Sequence, residues 1–127
     1  TIYETQPEIV AETGISAQTL DTVKRGMLKV GTTGYCADYF DDLSVQVACK
    51  TGTSQEIRQI EGQSVKINNG FLIAFAPYEN PEIAIAVVGE GMTSGVYVAP
   101  VVAEICDFYF SQSGTFEDFQ PENSFIP

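Results

Sequence analysis

Apolar residues along this chain follow two rhythms, and the change from one to the other marks the elements. Leu20, Val23, Met27 and Val30 recur at three- and four-residue steps, one stripe of an amphipathic helix. Ser16 stands before the stripe as an N-cap. Gly31 stands directly after it, where a C′ glycine closes a helix. The spacing predicts a helix over 17–30, with Gly26 a mild weakness inside it. A loop over 31–44 follows, and then the rhythm shortens to two. Val45, Val47 and Cys49 alternate with Gln46, Ala48 and Lys50, a strand over 44–53 with Gly52 near its end.

Residues 54–69 are polar and read as a loop, at most with two short extended arms. In 70–77, Phe71, Ile73 and Phe75 alternate with Leu72, Ala74 and Ala76. Pro77-Tyr78-Glu79-Asn80-Pro81 is a turn cluster. In 82–89, Ile83, Ile85 and Val87 alternate with Ala84, Ala86 and Val88, so the two strands form an antiparallel hairpin. Both faces of that hairpin are apolar, which predicts cover on both sides. The alanine-rich faces suit a closely packed helix. Val98, Val101, Val102, Ile105, Phe108 and Tyr109 return to helical spacing, a helix over 97–110 with Pro100 in its first turn. Residues 1–15 read as an irregular lead-in and 111–127 as a polar, aromatic surface tail.

The resulting class is α+β, an antiparallel sheet flanked by helices in a single unit over 1–127. Three strands and two helices are thin for 127 residues, and a sheet with two apolar faces needs more cover than two helices supply. The chain starts without Met and reads as trimmed, the piece of a larger domain.

Composition narrows what such a domain does. With 44% hydrophobic and 18% charged residues the chain can build a core. A net charge of −11 argues against nucleic acid and anionic lipid as partners. The absence of His removes every imidazole-based catalytic scheme and, with it, most zinc sites. No run of about 18 apolar residues is long enough to span a membrane. No basic segment opens the chain as a signal peptide does, since Glu4, Glu8 and Glu12 lie there. Cys36, Cys49 and Cys106 are too few and too irregularly spaced for a disulfide framework. Cys49 and Cys106 sit in apolar patterns and are expected to be buried, whereas Cys36 lies in a loop-like stretch and is open to exposure. One bridge is open to them, but nothing in the spacing chooses the pair.

Lys50-Thr51-Gly52-Thr53 is the candidate for chemistry. Four such residues also describe a strand ending in a glycine turn with a solvated lysine. Their setting adds weight to a site. Lys50 stands on the polar face of an apolar strand in a chain with only six basic residues. Gly52 admits close approach of a ligand, and Thr53 offers a hydroxyl and an N–H. That set suits an anionic, amide-bearing ligand lying alongside the strand. Weaker candidates are Glu90 to Gly95 as a ligand-contacting loop, Asp38, Asp41 and Asp42 as cation ligands, and Glu56-Ile57-Arg58 as a groove border; the favoured reading of each is the plainer one, a connection or a solvated surface.

Val47-Ala48-Cys49-Lys50-Thr51-Gly52-Thr53-Ser54-Gln55 resembles the third active-site motif of the penicillin-binding proteins, V-A-G-K-T-G-T-A-Q. Asn69 to Pro77 and Asn80 to Val88 resemble that family's next two strands. Ala99-Pro100 and Phe108-Tyr109-Phe110 resemble the start and end of its closing helix. The resemblance runs from about Ser16 to Phe110 and is closest to the class B transpeptidases. It implies a partial penicillin-binding, serine β-lactamase-like fold. The family's other motifs are S-x-x-K and S-x-N. The residues three before Lys24, Lys29, Lys50 and Lys66 are Asp21, Gly26, Val47 and Gln63, and no Ser is followed two positions on by Asn. The chain therefore resembles the C-terminal part of the domain, without its nucleophile and expected to be inactive alone.

By this resemblance, Lys50 places positive charge beside the site and positions protons. Thr53 Oγ, assisted by Thr51, binds the terminal carboxylate of a D-Ala-D-Ala stem peptide or a β-lactam. The Thr53 N–H is one of two oxyanion donors, and Gly52 leaves room for the substrate backbone. The resemblance implies no cofactor and no metal. It implies as partner the upstream remainder of the domain, and a membrane-anchored parent with this segment soluble outside the cytoplasmic membrane. Cys49 departs from the family's glycine and reads as a buried substitution or a thiol-reactive position. Two other readings stand beside it: a carboxypeptidase, β-lactamase or β-lactam-sensing relative, and a non-catalytic acidic binding module.

Overall fold

The computed structural model describes residues 12–112. Its elements are α1 (Ala17–Thr32), α2 (Ala37–Phe40), β1 (Ala48–Ile60), β2 (Gln63–Ala76), β3 (Ile83–Glu90), a 3₁₀ helix (Gly95–Val98) and α3 (Ala99–Gln112). The sheet is antiparallel in the order β1-β2-β3. The α+β class and the order of long helix, three strands and closing helix hold, but the expected loop over 31–44 contains the short α2, the strand expected from 44 begins only at Ala48, and 97–98 belong to the 3₁₀ helix that precedes α3. Most of the lead-in and nearly all of the tail lie outside the described residues.

Ser16 caps α1 as its residue type predicts: its Oγ accepts the Thr19 N–H at 3.1 Å, an interaction worth about 0.5–2 kcal/mol. The end of α1 differs from expectation. Gly31 lies inside the helix, buried, and Thr33 takes the cap position. A Cβ on Gly31 would stand 2.1 Å from the Val47 carbonyl oxygen, so this glycine serves a close approach of the segment entering β1 rather than a turn. The predicted stripe is also only half covered. Met27 and Val30 are partly buried, while Leu20 and Val23 are exposed among the described residues.

The largest correction concerns 54–69. Those residues are not a loop: β1 runs on to Ile60 and β2 begins at Gln63, pairing without a bulge from Ala48↔Phe75 to Ile60↔Gln63. Glu61 and Gly62 turn the chain with φ of 51° and 79°. Positive φ at both central residues marks the type I′ turn, whose twist matches that of paired strands. Polar side chains hold the extension together across the ladder. Gln55 Nε2 donates to Asn68 Oδ1 at 3.0 Å, and Gln59 Nε2 donates to Ser64 Oγ at 2.7 Å.

Paired residues share a face. Cys49, Leu72, Ala74, Ala76, Ile83, Ile85 and Val87 form one face. Its central members join Val98, Ala99, Val102 and Cys106 of the closing helical segment in a single core. Leu72, Ala76, Val102 and Cys106 have no exposed surface. The opposite face holds Ala48, Lys50 and Gly52 of β1, Phe71, Ile73 and Phe75 of β2, and Ala84, Ala86 and Val88 of β3. Here α1 gives partial cover. Lys24 Nζ lies 5.5 Å from the Phe75 ring centroid, and Met27 lines an open groove of about 350 Å³ with Ile73, Phe75, Ala84 and Ala86. Helix cover on the alanine-rich faces therefore holds for Ala74 and Ala76. Ala84 and Ala86 remain exposed among the described residues.

Candidate active site on the edge strand

The backbone of β1 decides what Lys50-Thr51-Gly52-Thr53 can do. In a two-residue hairpin the residues flanking the turn exchange both hydrogen bonds. Ile60 and Gln63 are that pair. Hydrogen-bonded and open pairs then alternate along an antiparallel ladder. Counting back from Ile60, Arg58, Glu56, Ser54, Gly52, Lys50 and Ala48 direct their N–H and C=O groups to β2. Thr53, Thr51 and Cys49 direct theirs away from it. Among the described residues β1 pairs only with β2. The Thr53 and Thr51 amides thus project from a free sheet edge, available to a ligand's carbonyl or carboxylate oxygen.

Side chains alternate with the same period. Lys50 and Gly52 lie on the face that α1 partly covers, and Thr51 and Thr53 lie on the core face. Lys50, Gly52 and Thr53 are exposed and Thr51 is half-buried. Lys50 Nζ donates to the Thr51 carbonyl, one of the acceptors that the register turns outward. The ammonium is thereby held over the open edge. The site is a strand edge rather than a pocket: neither the groove beside Met27 nor a hollow of about 310 Å³ between Gly31 and Val47 is lined by any of these four residues.

Gly52 is not required by the fold. A Cβ there would meet only Phe71 Cβ, at 3.5 Å, an ordinary contact. Gly95 is the reverse. A Cβ on it would fall 2.0 Å from the Phe71 carbonyl oxygen and 2.7 Å from that of Gly52. The start of the 3₁₀ helix is pressed onto the backbone of the motif strand and its neighbour. Gly70 and Gly89 are crowded in the same way, by Ser94 and by Met92 with Val98. The loop over 90–95 read from sequence as a connection or ligand contact is therefore a brace for β1. Asn69 Oδ1 fixes its start by accepting the Gly91 N–H at 3.1 Å. The glycines at 70, 89 and 95 were the available sequence signal, since close backbone approach is a common reason for glycine in a strand.

All three thiols are buried and free. This corrects the expected exposure of Cys36, which has no accessible surface. It bears out burial for Cys49 and Cys106. Burial pushes the Cys49 thiol up to about 12, helped by the neighbouring Cys36. Burial alone pushes Cys106 up to about 11. At neutral pH both are inert protonated groups.

The weaker candidates gain little. Asp38 within α2 and Asp41 and Asp42 directly after it are exposed, and the described residues hold no group of three potential ligands. Arg58 pairs with Glu56 and, at 3.7 Å, with Glu90 on the hairpin surface, contacts worth little in water.

Comparison with known proteins follows the same residues. A sequence model of the penicillin-binding protein transpeptidase domain matches residues 1–107. Penicillin-binding protein 2A of Bacillus subtilis is 35% identical over 86 residues, which are 65% of this chain and 12% of that protein. Peptidoglycan D,D-transpeptidase MrdA of Salmonella typhimurium is 37% identical over 87 residues, 61% of this chain and 14% of its own length. The solved structure of penicillin-binding protein 2B from Streptococcus pneumoniae superposes with a TM-score of 0.64 at 26% identity, covering 90% of this chain and 19% of that one. The chain thus spans only a small part of the length of the relatives it matches.

Proposed function

The chain belongs to the penicillin-binding protein transpeptidase domain family, and on that premise we propose that it is the C-terminal part of a class B, serine-type peptidoglycan D,D-transpeptidase, with Lys50, Thr51, Gly52 and Thr53 as its share of the active site. The observation that carries the reading is the register of β1, which turns the Thr53 N–H off a free sheet edge beside an exposed lysine.

In this reaction the serine hydroxyl, supplied by sequence outside these 127 residues, attacks the peptide carbonyl of a D-Ala-D-Ala terminus. Its proton leaves with the terminal D-alanine, and a serine ester remains. The amine of a second stem peptide then displaces the serine and forms the cross-linking amide. A β-lactam acylates the same serine. The Thr53 N–H stabilises the developing oxyanion together with the nucleophile's own N–H. Thr53 Oγ and Thr51 hold the substrate carboxylate. Lys50 supplies positive charge to that anion and to the proton transfers around the second-motif serine. The substrate backbone lies along β1 as an added strand, with Gly52 leaving the space it needs. The parent is anchored in the membrane and places this segment outside it. Among the described residues no helix is long and apolar enough to cross a membrane.

The test is labelling by a fluorescent penicillin. The chain alone should not label, whereas the protein extended upstream through an S-x-x-K motif should. Lys50→Ala in the extended protein should reduce labelling at least tenfold. Full labelling of that variant removes Lys50 from the site. No labelling of a well-folded extended protein removes the reading altogether.

A further inference from the structure

We propose that the main chain of Gln55 is a further substrate subsite, its N–H donating to the carbonyl that acylates the third residue from the C-terminus of the bound peptide. The inference rests on the function proposed above and extends it along the same strand. Gln55 stands opposite Asn68, two residues past Thr53 and in the same phase of the ladder, so its N–H and C=O also point away from β2. Gln55 is exposed, and among the described residues β1 pairs only with β2. Its side chain is tied back across the ladder to Asn68 Oδ1 at 3.0 Å, which leaves the main chain of the edge uncovered. Nor does this edge carry the features that usually protect one. Residues 48–60 include no proline and pair with β2 without a bulge. Arg58, the one basic residue of β1 beyond the motif, turns its side chain over the sheet face to Glu56 and Glu90. A long bare edge invites an added strand, and the motif accounts for it only as far as Thr53.

Polarity and spacing fix which ligand atom meets Gln55. The terminal carboxylate lies toward Lys50 and Thr51, and the reacting carbonyl, one residue inward, accepts the Thr53 N–H. The peptide therefore runs antiparallel to β1, with its penultimate residue opposite Thr53. In an antiparallel ladder the next such pair lies two residues on along both strands, about 7 Å away. Gln55 then pairs with the fourth residue from the peptide's C-terminus, whose carbonyl is the amide on the nitrogen of the third. A D-Ala-D-Ala dipeptide acylated by a plain alkyl chain reaches Thr53 but offers the Gln55 N–H no acceptor. The contact is made in ground state and transition state alike, so it acts on KM rather than on kcat.

The experiment compares two substrates of the full-length parent protein by their release of D-alanine. Acetyl-L-Ala-D-Ala-D-Ala carries the carbonyl in question, and 2-methylpentanoyl-D-Ala-D-Ala has the same length and branching without that amide. The parent should favour the first about fivefold in kcat/KM, the effect of one hydrogen bond, with the difference in KM. Gln55→Pro should bring the ratio to about one. Ile57→Pro removes the next outward N–H, beyond the reach of either substrate, and should keep the ratio. Both prolines replace residues at non-hydrogen-bonded pairs, so neither takes a bond from the β1–β2 ladder. Equal kcat/KM for the two substrates in the parent overturns the subsite, and that comparison requires no variant to fold. A ratio that survives Gln55→Pro, or is lost in Ile57→Pro, overturns it as well. Acylation by fluorescent penicillin tests the function separately: a parent that labels but does not distinguish the two peptides keeps its function and loses the subsite.

Discussion

Gly52→Ala separates the two meanings that a glycine in a strand can have. If glycine stood there for the fold, a methyl group would clash or force a strained backbone. The structure gives neither reason: the nearest atom to a Cβ is Phe71 Cβ at 3.5 Å, and Gly52 is exposed without a positive φ. Alanine in an extended conformation loses less backbone freedom on folding than glycine, a difference of about 0.5–1 kcal/mol. Gly52→Ala should therefore leave the full-length protein as stable as before or more stable by up to that amount, read as the urea midpoint. The same methyl would stand on the Lys50 face, in the space assigned to the substrate. A displacement of the ligand by about an ångström costs on the order of a hundredfold in rate. The second-order rate of fluorescent penicillin acylation should fall at least tenfold, a loss of about 1.4 kcal/mol in transition-state stabilisation. The two assays must diverge. A variant that acylates at the parental rate refutes the placement of a ligand over Gly52. A variant that loses more than about 1 kcal/mol of stability refutes the structural premise.

Other perturbations should behave differently. Gly95→Ala puts a methyl 2.0 Å from one sheet carbonyl and 2.7 Å from another; it should cost about 3 kcal/mol, the upper end for overpacking, and lower both the urea midpoint and penicillin labelling. Glu61→Asn should stabilise the hairpin by about 1 kcal/mol, because Asn tolerates the left-handed φ of 51° that Glu adopts at cost, and the distant site should label unchanged. Alkaline pH should unfold the protein early. Cys49 and Cys106 keep their protons in the fold to about 12 and about 11, while the unfolded thiols ionise from about 9. The fold then binds more protons, so stability falls as pH rises through that window, by up to about 1.4 kcal/mol per pH unit for each thiol. Urea midpoints at about pH 8 and about pH 10 under reducing conditions, compared with those of Cys106→Ala, measure it; an unchanged slope in the variant refutes the assignment for Cys106.

Legibility followed burial. Where a face is covered, the chain carries a period that can be read: Phe71 to Ala76 and Ile83 to Val88 declare their strands, and Met27 and Val30 their helix. Where nothing covers it, the period vanishes. Residues 54–69 extend the hairpin into solvent and need no apolar alternation. They stay extended through ladder bonds and cross-strand pairs such as Gln55 with Asn68, which composition does not advertise. The turn was hidden for a related reason. Glu-Gly is a weaker signal than Asn-Gly for a type I′ turn, although Gly62 supplies the φ of 79°. Gly31 misled because one residue type answers two needs: a C′ position and a close approach give the same letter. Cys36 was misplaced because its loop-like neighbours, Tyr35 exposed and Gly34 beside it, say nothing of a fold that turns the thiol inward. Lys50 to Thr53 stand out in the sequence as a candidate set, but their arrangement does not, since it depends on where the hairpin turns.

That dependence makes the site a consequence of the turn. With the register pinned at Glu61-Gly62, every second residue of β1 back to Ala48 has its backbone committed to β2. A slip of one residue would send the Thr53 and Thr51 amides into the ladder and turn Lys50 and Gly52 to the edge. It would also exchange the faces, moving Cys49 out of the core and Lys50 into it. Burial of a lysine without a partner is costly, and Cys49, packed among Leu72, Ala74 and Val102, has no accessible surface to spare. The same packing that excludes the slipped register therefore selects which amides face outward. Four consecutive residues then offer three kinds of contact along one line: an ammonium from one face, hydroxyls from the other, and N–H groups in the plane between them. The peptide terminus of the proposed function would use all three, being extended, anionic at its end, and able to present a carbonyl at strand spacing.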